Sequence, residues 1–150
     1  MRKSLLVLGA AVVAALAVAW VKPNAAQEKP ADTPPAKIPQ EEIDRKNPVK
    51  PTPEGLAAAR RVYGYDCAMC HGKDGDGKGD LVESMKLTLP DWRDPASMAN
   101  KTDGQFFYII SNGKGKMVGE KDRANETMLW NLVNLVRSFA KKEAGEKPGS

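Results

Sequence analysis

The sequence predicts an all-α domain over residues 52–142, flanked by ends that add nothing to its core. Two observations carry this. Apolar residues recur at three- and four-residue spacing in three separate stretches, each opened by a residue type that caps helices. No stretch shows the period-two alternation of a half-buried strand.

Taken in order, Arg2 and Lys3 precede an apolar run from Leu5 to Val21. A charged start followed by such a run is the pattern of a secretory signal, and Ala17-Val18-Ala19 and Asn24-Ala25-Ala26 both offer small residues for cleavage. The run also lies at the lower limit for crossing a bilayer. Residues 1–26 are therefore expected to be a signal peptide or an N-terminal membrane anchor, and either places the domain in the periplasm or otherwise outside the cytoplasm. Residues 27–51 hold Pro30, Pro34, Pro35, Pro39, Pro48 and Pro51 among charged and small residues, which predicts a flexible, solvated linker.

Order is expected from Thr52, a helix cap followed by Pro53 at the first helical position and Glu54 near the positive end of the dipole. Leu56, Ala59 and Tyr63 form its apolar face. Gly72 to Gly79 contains four glycines with Asp and Lys between them and reads as a loop. Thr102 with Gln105 forms a capping box for a second helix through Phe106, Phe107, Ile109 and Ile110, stopping at Asn112-Gly113. A third helix starts at Asn125 or Glu126, with Leu129, Trp130, Leu132, Val133, Val136 and Phe139 as its apolar positions. Residues 143–150 read as a flexible tail.

Of the net charge of +4, three units come from Arg2, Lys3 and Lys22, which leaves +1 for residues 27–150. No basic run is interleaved with aromatics, so nucleic acid is excluded as a partner.

The chemistry sits in Cys67-Ala68-Met69-Cys70-His71, which uses both cysteines and the single histidine of the chain. C-x-x-C-H is the attachment sequence for c-type haem. Two thiols one turn apart can add to the two vinyl groups on one porphyrin edge, and the next residue then lies under the metal, where an imidazole can ligate iron. Other uses of the pair fit less well. A thioredoxin-type pair needs a βαβ context. A closed zinc site needs four ligands, and no second Cys or His cluster exists. A plain disulfide leaves the adjacent His71 unexplained. One covalent haem c, with Cys67, Cys70 and His71 as its attachment and first ligand, is the expected cofactor. Asp74-Gly75-Asp76-Gly77 resembles a calcium loop but lacks the later bidentate Glu.

With one histidine, a second histidine ligand from the same chain is impossible, and methionine is the usual alternative in electron carriers. Met69 is held inside the attachment loop, and Met128 reads as core. Met117, in the glycine-containing loop after the second helix, can wrap to the far face and is the preferred ligand. Met85 and Met98 remain alternatives.

Together, Cys67-Ala68-Met69-Cys70-His71-Gly72, Gly75-Asp76-Gly77, Ile110-Ser111-Asn112-Gly113-Lys114-Gly115-Lys116-Met117 and the last helix resemble a bacterial class I, single-haem cytochrome c over about Pro48 to Phe139. The likeness extends to haem domains of terminal-oxidase subunits and to free soluble carriers. It implies a small cytochrome c fold wrapped round one covalently bound haem, thioether bonds at Cys67 and Cys70, and axial ligation by His71 and Met117. It further implies that the Pro90 carbonyl accepts the histidine's other N–H, that Trp92 packs on the haem, and that Tyr63 crosses the last helix near Leu132 and Leu135. Val118 departs from the proline common after the methionine.

The implied function is one-electron transfer between redox partner proteins outside the cytoplasm, with no substrate at iron and no enzymatic reaction. An open iron site would instead make a haem-dependent peroxidase or a small-ligand sensor. A retained N-terminus would make the chain a tethered electron-input subunit of a membrane oxidase or dehydrogenase. Lys114 and Lys116, flanking the expected haem edge, suggest that the partner's docking face is acidic.

Overall fold

The computed structural model describes residues 37–145, with side chains described to residue 140. The expected signal or anchor lies outside the described residues, as do residues 27–36 of the linker and the end of the tail.

Order begins earlier than Thr52. A short helix, α1 (Gln40–Asp44), follows Pro39 and is packed on the domain, so residues 37–51 are not the solvated linker their composition suggests. Proline removes backbone donors and breaks regular ladders, but it does not prevent side chains from supplying the missing partners. Here Asn47 donates to the Trp130 carbonyl (3.2 Å) and to Asn134 Oδ1 (2.9 Å), and Asn134 donates back to the Val49 carbonyl (2.9 Å). Thr102 Oγ1 donates to the Ile43 carbonyl (2.6 Å). Arg45 pairs with Glu42 and Glu126 and lies 4.3 Å from the Phe107 ring centroid. Gly104 makes the approach possible: a Cβ there would overlap the Glu42 carbonyl.

Helix α2 (Pro53–Asp66) opens as expected, with Thr52 Oγ1 accepting from Gly55 N at 3.1 Å. It buries Ala59 and Tyr63, with Leu56 and Val62 half-buried against the same core. It ends at Cys67, and a single turn, α3 (Ala68–His71), continues to Gly72, whose φ of 76° suits glycine. The glycine-rich loop then folds back on α3: Gly77 N reaches the His71 carbonyl (2.9 Å), Gly79 N the Cys70 carbonyl (3.1 Å) and Leu81 N the Met69 carbonyl (2.9 Å). These bonds satisfy carbonyls that a one-turn helix leaves open.

A 3₁₀ turn (Pro95–Met98) leads to α4 (Asp103–Asn112), whose Thr102–Gln105 capping box is formed in both directions. A two-residue antiparallel pair follows, β1 (Gly113–Lys114) with β2 (Met117–Val118), in register Gly113↔Val118 and Lys114↔Met117. This is the one departure from all-helical structure among the described residues. Pairing this short carries no alternation that a sequence pattern could show.

Helix α5 (Glu126–Gly145) supplies most of the core: Leu129, Trp130, Leu132, Val133, Leu135, Val136 and Phe139 are all at most 4% exposed. Each such side chain contributes about 1.5–3 kcal/mol on burial. Helix α2 packs along α5, and α4 packs against it through Phe107 stacked on Trp130 at 4.1 Å. Tyr63 meets Phe139 (ring centroids 5.3 Å apart) and shares one buried core with Leu132 and Leu135. Among the described residues, no helix is long and apolar enough to cross a membrane.

Candidate functional site

Cys67, Cys70 and His71 occupy the C-terminal end of α2 and the turn of α3, so one continuous backbone carries all three. Cys67 N donates to the Tyr63 carbonyl and His71 N to the Cys67 carbonyl, each at 2.9 Å. Both thiols are unpaired and half-buried. The Cys67 thiol is pushed up to about 12, first by burial, then by the Glu120 and Asp66 carboxylates, against a smaller opposing effect of Arg123. A thiol in such surroundings resists ionisation, unlike the low-pKa cysteine of a redox-active pair.

The His71 imidazole lies nearly parallel to the Trp92 indole, centroids 4.2 Å apart and planes 16° apart. Trp92 is brought there by its backbone N–H, which donates to the Gly75 carbonyl at 2.7 Å. Thus the glycine loop does the positioning: it binds α3 at one end and Trp92 at the other. Burial lowers the His71 pKa, so the ring is neutral at neutral pH, as a metal ligand must be.

The Pro90 carbonyl does not accept a hydrogen bond from His71, since Nδ1 is buried without a partner. Pro90 itself is exposed, and its carbonyl faces Gly77, where a Cβ would come within 2.8 Å of it. The stack on Trp92 orients the ring instead.

Met117 lies on β2, half-buried against the core that Cys67 and Trp92 also touch. Of the alternatives, Met98 is 4% exposed and belongs to that core, while Met85 is half-buried and its carbonyl accepts from Lys116 Nζ at 2.8 Å. Met69 is 46% exposed. The donor set therefore consists of two free thiols, one neutral imidazole and a half-buried thioether beside a shared apolar core. That set fits a covalently attached haem, which the two thiols would anchor and whose iron the imidazole would ligate.

Two contributors are invisible in the sequence. Tyr63 Oη donates to the Gly72 carbonyl at 2.7 Å, tying α2 to the residue after His71. Glu120, 3% exposed, sits within electrostatic reach of Cys67. The apolar pattern and the resemblance point to the packing of the Tyr63 ring but not to its hydroxyl bond, and Glu120 stands among Lys, Asp and Arg, a pattern that reads as solvated surface.

Among solved structures, the chain is similar to the KustC0563 c-type cytochrome, at 27% identity over 54% of this chain and 95% of that one, with a TM-score of 0.47. It is also similar to the Kuenenia stuttgartiensis reducing HAO-like protein complex Kustc0457/Kustc0458, at 20% identity over 61% of this chain and 46% of that one, with a TM-score of 0.54. The second is a likeness of fold, and the chain spans less than half of that protein. Residues 54–136, more than half of the chain, match the family described as cytochrome c oxidase, cbb3-type, subunit III. The matched span holds the attachment turn, the Trp92 stack and Met117, and the chain belongs to this family of cytochrome c domains, with one covalently bound haem c as its cofactor.

Proposed function

We propose that this chain is a one-electron carrier in which Cys67 and Cys70 hold the haem, His71 and Met117 ligate its iron, and extracytoplasmic redox proteins are its donor and acceptor. When bound, the haem supplies a ferrous/ferric couple that takes up and releases a single electron. The observation that carries the reading is the half-buried His71 ring stacked on Trp92 at 4.2 Å. A ring restrained in this way needs little reorganisation when the charge on a bound metal changes by one. The half-buried Met117 supports ligation from a second chain segment, and two strong ligands leave no position for a substrate.

The family match favours a more particular version, an electron-input subunit of a terminal oxidase held near the membrane by residues preceding the described domain. Lys114 is exposed beside β2, and Lys116 is held near it by the Met85 carbonyl, which supports docking to an acidic partner face.

Visible spectra of the exported protein test the ligation. Expected are low-spin c-type bands, a weak sulfur-to-iron band when oxidised, and no response of the reduced form to carbon monoxide. Met117→Ala should remove the sulfur band and allow carbon monoxide to bind. A high-spin spectrum in the unsubstituted protein, shifting with carbon monoxide, would replace the carrier with a peroxidase or sensor.

A further inference from the structure

Glu120 is the one buried charged side chain among the described residues. It follows Met117 by three residues, on the segment that returns from the β1–β2 pair. Its backbone is pinned on both sides: Glu120 N donates to the Ile110 carbonyl at 2.9 Å, and the Glu120 carbonyl accepts from Arg123 N and Ala124 N, both at 2.9 Å. The carboxylate is therefore held in place and does not merely occupy a mobile surface loop.

Its two oxygens differ. Oε1 accepts from Arg123 at 2.5 Å, while Oε2 is buried with no hydrogen-bond partner. A buried carboxylate is costly unless fully paired, and half of this one is not. The backbone bonds already fix the turn, so folding alone gives no reason for a charge here. Arg123 reaches on to Asp66 (3.9 Å), the residue before Cys67. Asp66, Arg123 and Glu120 thus bridge the attachment turn to the segment following Met117. Of the charged groups that act on the Cys67 sulfur, Glu120 has the largest effect. That sulfur is the atom through which the porphyrin edge is joined.

We propose that Glu120, restrained by Arg123, is a positioning residue that lowers the reduction potential of the attached haem by placing a desolvated negative charge beside its Cys67 edge. The proposal rests on the carrier reading above. A negative charge stabilises the ferric state, which carries one more positive charge than the ferrous. Burial strengthens the effect and shields it from salt. Arg123 is 54% exposed, so its opposing charge is the more screened of the two.

The test uses the haem-loaded full chain. Midpoint potentials are measured by spectroelectrochemical titration at one fixed pH and buffer for all variants. Glu120→Gln keeps the shape and removes the charge. It should raise the ferrous-to-ferric ratio at fixed poise on the order of tenfold, about 59 mV for a one-electron couple. Arg123→Gln should shift the ratio the other way by a smaller factor. Lys121→Gln, an exposed charge one residue away, should move it least. The Glu120→Gln shift should persist at high salt, with the sulfur-to-iron band intact throughout. Unmoved potentials, or downward shifts in both variants with loss of that band, would mean a structural role for Glu120 and overturn the proposal alone. Absence of c-type bands in the unsubstituted chain would overturn the carrier reading with it.

Discussion

Replacing Tyr63 with phenylalanine should cost stability at neutral pH and remove an alkaline liability. The Tyr63 hydroxyl donates to the Gly72 carbonyl at 2.7 Å in a buried setting. That carbonyl also accepts from Gly75 N at 3.2 Å, so deleting the hydroxyl does not orphan it. The loss should therefore be that of one net hydrogen bond, about 1 kcal/mol, without the full penalty of an unsatisfied acceptor. The ring contact with Phe139 is retained. The alkaline side runs the other way. Burial raises the Tyr63 pKa well above its ordinary value, helped by Cys67, Asp76 and Asp74; thioether formation at Cys67 removes one of the smaller causes and leaves burial. A raised pKa means that the folded chain keeps its proton while the unfolded chain loses it above about pH 10, so stability falls by about 1.4 kcal/mol per pH unit from there upward. Tyr63→Phe lacks this slope. Its stability curve should start about 1 kcal/mol below the parent and cross it a little short of pH 11. Urea unfolding of the haem-loaded pair across this range gives the difference directly, since lysines titrate alike in both. A difference that stays constant from pH 7 to 11 would refute the assignment of a buried, neutral, hydrogen-bonded phenol.

Three further outcomes are expected. Met98→Ala should lose about 2–4 kcal/mol by opening a cavity in the core, yet keep the sulfur-to-iron band that Met117→Ala loses; paired thermal melts and spectra separate the two methionines. Gly104→Ala should push the strap of residues 37–51 away from α4, costing about 1–3 kcal/mol and exposing Arg45 and Lys46 to trypsin in a limited digest. Arg45→Ala should cost only about 1 kcal/mol, because its ion pairs are partly exposed and its contact with Phe107 lies at the rim of the core. A double-mutant cycle with Glu126→Gln should assign a few tenths of that to the pair.

What the sequence revealed depended on how local the cause was. Caps at Thr52, at Thr102 with Gln105, and at Asn125, whose side chain accepts from Met128 N at 2.9 Å, act within three residues and are legible in place. The attachment motif is legible for the same reason, since covalent chemistry sets its spacing. The order of the strap is not legible locally, because it is owed to partners more than eighty residues away, Trp130 and Asn134, which satisfy groups that a proline-rich segment cannot pair with itself. For His71 the resemblance implies a carbonyl partner at Pro90, whereas the structure turns the Trp92 indole face toward the ring and gives Nδ1 no hydrogen bond. Glu120 has no signature in the sequence, since nothing in the run Gly119-Glu120-Lys121-Asp122-Arg123 distinguishes the one inward-facing charge from its solvated neighbours.

The strap has a mechanical consequence. Residues 37–51, left free and extended, would have reached up to about 50 Å from Thr52. Fastened to α4 and α5, they contribute almost none of that reach. Shortening a leash concentrates whatever it carries in a smaller volume and narrows the orientations that can be presented to a neighbour. Substitutions that free the strap should lengthen its reach and leave the cofactor site untouched.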